Sequence, residues 1–233
     1  VKQYADEIFA AGAELSEVVR GHQPQSQPVL SVGLVNSLAK LITYRVLEPA
    51  FSLDTPVQVV CREADLETLL AELAIHRLDL VISDRPIPVG FGVKAYNHQL
   101  GESAIGFFAA RSVAARYRKN FPRSLDGAPV ILPLHDTALR RELDRWFEQI
   151  DVRPQIVAEC DDSALIKVLG SAGAGLFPAP LAISAEVERT YNARGIGEAG
   201  DVRESYLAIS PERRLKHPAV LDIIEQARSK LFT

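Results

Sequence analysis

The chain has 233 residues, 47% of them hydrophobic and 24% charged, with a net charge of -4. This balance fits a globular protein of one large domain or two small ones and supplies no basic footprint of the kind a DNA-binding surface needs. No apolar run is long enough to span a bilayer, and two widely separated cysteines, Cys61 and Cys160, agree with a reduced, cytosolic compartment.

Residues 1–21 read as an amphipathic helix, with Tyr4, Ile8, Ala11, Leu15, Val18 and Val19 at helical spacing and Gly21 as a stop. A polar, proline-bearing linker follows over 23–28. The first residue is not methionine, which suggests a fragment. An apolar strand over 29–34 precedes Asn36 and Ser37, which are predicted to cap a helix carrying Leu38, Leu41, Ile42 and Leu47 and closed by Pro49. Residues 57–84 then read as strand, helix, strand. Val57, Val59 and Val60 form the first run, Leu66, Leu69, Leu70 and Leu73 the helical stripe, and 80–84 the second run. A helix joined so tightly to a buried strand predicts a parallel sheet with crossover helices. Ligands gather at the carboxyl ends of such strands, which here present Arg62, Glu63, Asp84 and Arg85.

After the break at 86–90 a second series begins. Strands are predicted over 103–109, 129–132, 155–158 and 203–210, and helices over 137–150, 162–171 and from His217-Pro218 to about residue 231. Gly173 and Gly175 lie in a tight turn before a buried strand. No Lys-Ser/Thr follows them, and they open no helix, which rules out a phosphate loop. Two βα series, 29–85 and 104–180, favour an α/β fold of two subdomains with a cleft between them over one wide sheet.

Taken together, "READLETLLAELAIHRLDLVISDRPI" (62–87), "AECDDSALIKVLGSAGAGLFPAP" (158–180) and "ISPERRLKHPAV" (209–220) resemble the effector-binding domain of LysR-type transcriptional regulators. Within that family, segments 73–87, 161–170 and 217–220 are most similar to the activators of sodium/proton antiporter expression. The resemblance implies a type 2 periplasmic-binding-protein-like fold with two crossover strands. Subdomain I would comprise 29–92 and 203–233, and subdomain II 93–202. Residues 1–22 would end the dimerising linker helix, and the winged helix-turn-helix that reads DNA would precede this chain. It further implies a small effector, either sodium or a small organic anion, and self-association as a homodimer or homotetramer. Promoter DNA would be met only through the preceding domain. No cofactor and no membrane contact are implied.

Each candidate residue carries two readings. Asn36 and Ser37 serve as a cap, but a helix start with free N–H groups also holds anions, and the resemblance puts these positions in the cleft. Arg62 and Glu63 form either a surface ion pair or cleft lining. Asp84 and Arg85 are turn residues or a hinge-proximal pair that changes partners on closure. His135, Asp136 and Thr137 precede a helix, where capping competes with effector contact. Asp161 and Asp162 exceed what one cap requires, and the second acid calls for a cation, either Lys167 or a bound sodium ion. Phe177 packs in the core or walls the cleft. The five histidines, His22, His76, His98, His135 and His217, have no metal spacing, and no nucleophile elbow is visible, so no enzyme is expected. The rival reading is a stand-alone solute-binding protein of a transporter.

Overall fold

The structure is a computed structural model that describes residues 28–53, 55–212 and 218–232. The expected linker helix over 1–22, the linker up to residue 27 and the helix start at His217 lie outside the described residues.

The first lobe is built as the sequence dictates. β1 (Val29–Val35) lies parallel to β2 (Gln58–Ala64) on one side and to β3 (Leu80–Ser83) on the other. α1 (Lys40–Leu47) and α2 (Leu66–Ala74) make the crossovers. Leu66, Leu69, Leu70 and Leu73 put the apolar stripe of α2 onto the sheet, and all four are buried. The Asp65 side chain accepts a hydrogen bond from the Thr68 amide (2.8 Å) and starts that helix.

Two long strands join the lobes. β4 (Tyr96–Ala110) and β8 (Ala193–Ser210) pair antiparallel from Tyr96↔Ser210 to Ala110↔Ala193. At one end β8 pairs with β3 through Val81↔Ile209, and at the other β4 pairs with β7 (Phe177–Pro180). The sheet order is therefore β2-β1-β3-β8-β4-β7. β5 (Pro129–Pro133) and β6 (Gln155–Cys160) form a parallel pair of their own. Reciprocal hydrogen bonds of 2.8 Å from the Ile131 amide to Leu176 O and from the Leu176 amide to Pro129 O tie that pair to the start of β7.

The second lobe carries α3 (Ala114–Arg118), α4 (Ala138–Gln149), α5 (Ser163–Ser171) and α6 (Ser184–Thr190), and α7 (Pro218–Gln226) returns to the first lobe. α5 comes so close to β7 that a Cβ on Gly170 would lie 2.0 Å from the Phe177 ring. One apolar core runs from Leu30 and Leu73 through Tyr206 to Phe108, Phe177 and Val187, so it spans both lobes. A second core lies on the outer face of the second lobe, where Phe107, Trp146 and Phe147 cluster with Val130 and Leu143.

Candidate functional site

Four strand ends open on the same gap. β1 and β3 end there from the first lobe, and β5 and β6 from the second. Side chains from both lobes line a cleft of about 510 Å³, counting its open mouth. Ser37 and Asp84 come from the first lobe, Thr137, Asp161 and Lys167 from the second, and Glu204 from the joining strand β8. Leu139, Cys160, Ile166, Pro178 and Pro180 supply apolar wall.

Helix starts set the polarity of the gap. Asp162 caps α5, with its Oδ1 accepting from the Ala164 amide at 2.8 Å. Thr137 caps α4, accepting from the Arg140 amide (3.2 Å) and donating to Leu134 O (2.9 Å). α1 is different. It begins at Lys40 with Ala39 in the cap position and no side-chain cap. The predicted capping by Asn36 and Ser37 is therefore corrected. A turn closed by the Leu38 amide on Val35 O (3.0 Å) uses up both residues before the helix starts. The Ser37 hydroxyl is left buried with no partner among the described residues, and so is Asp84 Oδ1.

Of the charged side chains lining the cleft, Lys167 and Glu204 are the most deeply buried, 3% and 9% exposed. Lys167 Nζ donates to Ser163 O at 2.8 Å, its one hydrogen bond among the described residues. Burial pushes its pKa down to about 8, against the pull of Glu204 and Asp162, and Lys40 adds to the fall. Glu204 accepts a hydrogen bond from the Tyr206 hydroxyl. Burial pushes its pKa up to about 7; the Tyr206 bond and Lys167 oppose the rise, and Asp84 adds to it. The Tyr206 phenol is driven well above its usual value by burial and by Glu204.

The predicted site residues fall into four groups. Ser37, Asp84, Thr137 and Asp161 line the cleft. Asn36, Arg85, His135, Asp136 and Asp162 stand exposed around it. Arg62 and Glu63 do not reach it, because β2 is the outer strand. Arg62 lies 3.8 Å from Glu72, and Glu63 2.5 Å from Lys40. Phe177 is fully buried and stacks on Phe108, with ring centroids 5.8 Å apart, so core packing accounts for it. Among the described residues no group of three or more His, Cys, Asp or Glu side chains is placed to hold a metal ion.

Glu204 was missed from sequence, and Lys167 was noticed only as a counter-ion. Both carried a signal. Val202, Glu204, Tyr206 and Ala208 alternate along β8 as one buried face, and a glutamate in such a row is out of pattern. Lys167 sits between Ile166 and Gly170 on the buried face of α5.

Besides the shared core, two polar side-chain contacts among the described residues cross between the lobes. Ser163 Oγ donates to Leu38 O at 3.4 Å, and Arg45 on α1 meets Glu186 on α6 at 3.4 Å.

Comparison with known proteins agrees with this architecture. The family described as LysR substrate binding domain matches residues 23–231. The transcriptional activator protein NhaR of Escherichia coli is 30% identical over 233 residues, covering all of this chain and 76% of the relative. The effector binding domain of QuiR in complex with shikimate superposes with a TM-score of 0.62 at 14% identity, over 88% of this chain and 98% of that one. Full-length CbnR complexed with its target DNA gives a TM-score of 0.68 at 14% identity, over 97% of this chain and 78% of that one.

Proposed function

The chain belongs to the LysR substrate binding domain family, and on that premise we propose that it is the sensing domain of a cytosolic transcriptional activator that reports sodium, or alkaline pH, through its interlobe cleft. The observation that carries this is the set of buried ionisable side chains, Lys167 and Glu204, at the point where both lobes and a joining strand meet. A ligand that bridges such a gap favours one angle between the lobes, and a population shift follows. The angle then sets how two or four copies pack and how they present the winged helix-turn-helix through which promoter DNA is bound. The division at residues 93 and 203 is the natural one for that motion, since β4 and β8 carry the chain across. No step needs an enzyme.

The resemblance of segments 73–87, 161–170 and 217–220 to activators of sodium/proton antiporter expression supports sodium as the signal. Asp161, at the cleft, and Asp162, beside it, are the carboxylates for a hard cation. Titration calorimetry with sodium, against potassium at matched ionic strength and at two pH values, tests the reading. The expected result is saturable heat with sodium alone that disappears in Asp161→Asn/Asp162→Asn. Equal heats from the two ions would set direct sodium sensing aside.

A further inference from the structure

The inner cleft has donors and acceptors that no group among the described residues uses. Lys167 spends one of three N–H groups, on Ser163 O. On the other lobe, Asp84 Oδ1 and the Ser37 hydroxyl are buried with no partner among the described residues. Glu204 satisfies Oε2 with Tyr206 and has Oε1 to offer. From this geometry we infer that the inner cleft binds a compact organic zwitterion, its ammonium held by Asp84 and Glu204 and its carboxylate by Lys167. This rests on the cleft being the effector site, and it is independent of sodium at Asp161 and Asp162.

Charge decides between ligand classes. Burial favours the neutral form of Glu204, and with that proton held the charges of Asp84 and Lys167 cancel in a partly enclosed gap, where any added net charge is costly. A simple carboxylate satisfies Lys167 but adds a second negative charge beside Asp84. A simple amine pairs with Asp84 but adds a positive charge beside Lys167 and leaves the spare donors of Lys167 unmet. A zwitterion supplies both counter-ions at no net charge. The protonation shifts at the site point the same way: Glu204 moves toward its neutral form and Lys167 toward losing its proton, as two buried charges do when each lacks a full partner. The facing groups that modulate them are Asp162, Lys40 and Tyr206, none of which supplies the missing ion pair within the gap.

The test is titration calorimetry of the 233-residue chain at low salt. The zwitterions are glycine, β-alanine, L-serine and 4-aminobutyrate; acetate, propionate and ethylamine are the single-charge controls. The expected result is saturable binding of at least one zwitterion, no binding of the controls, and affinity weakened about tenfold or more in Asp84→Asn and in Lys167→Met. Ser37→Ala is the second, milder variant, with a smaller loss and an unchanged melting temperature. A carboxylate control that binds as well as the zwitterions, with Lys167→Met weakening it and Asp84→Asn not, overturns the zwitterion and leaves the cleft as the effector site. Binding that no cleft variant weakens overturns both. If no probe binds, the zwitterion class falls, and the cleft is then judged by the sodium titration.

Discussion

Glu204 keeps its proton in the folded chain up to about pH 7, whereas an ordinary glutamate releases it near 4.5. Between those values the unfolded state holds fewer protons than the native state, so burial of Glu204 costs progressively more stability as pH rises and reaches its full cost above about 7. Glu204→Gln keeps an acceptor for Tyr206 and removes the charge. It should raise stability by about 1–2 kcal/mol above pH 7 and by little near pH 4.5, less than the full shift because Lys167 loses an attractive neighbour. Urea unfolding at three pH values measures this, and a pH-independent difference would contradict it. Lys167 runs the other way. Its native pKa near 8, against an ordinary 10.5, makes the penalty complete below pH 8 and relieves it toward 10.5. The sequence hid this pair for a physical reason: Lys167 and Glu204 are 37 residues apart, on a helix and a strand that meet only in the folded chain.

At the scale of elements, the helix starts around the cleft are not equivalent. Thr137 is a true cap, so Thr137→Ala should cost about 1 kcal/mol. Ser37 caps nothing, and Ser37→Ala should change stability by less than about 0.5 kcal/mol. Equal losses in chemical denaturation would mean that α1 is capped after all. The same contrast shows what the sequence could reveal. A Ser or Thr before an apolar helical stripe announces a cap, but whether it occupies the cap or the preceding turn depends on where β1 ends. The short buried strands and the stripes of α2, α4 and α5 were legible because apolar spacing marks them. β4 and β8 were read too short. The first half of β4 alternates with exposed polar residues such as Asn97 and Gln99, and the first half of β8 contains Gly195, Gly197 and Gly200. Their strand character comes from pairing with each other, which local pattern does not record. α3 and α6, at five and seven residues, are too short for a periodicity to register.

Over the whole molecule, the larger core passes from one lobe to the other while Trp146, the single tryptophan, sits in the second core. A continuous core predicts one cooperative transition. Leu73→Ala, at a fully buried position in the first lobe, should cost about 2–5 kcal/mol. It should lower the midpoint seen by Trp146 fluorescence as much as that seen by far-UV circular dichroism. Separated midpoints would show the lobes melting independently. The joining ribbon of β4 and β8 has a mechanical meaning as well. Two strands bonded to each other along their length resist shear and yield to torsion, so the lobes they link can turn on a common axle but not slide. The ribbon's three register shifts, at Gln99/Gly101, Ala104/Gly106 and Phe107/Phe108, are where twist concentrates. Glu204, opposite Ser103 in that ribbon, stands beside the middle one. On the proposed reading, a ligand wedged between Asp84 and Lys167 would become torque on the axle itself, with the cleft as the lever arm.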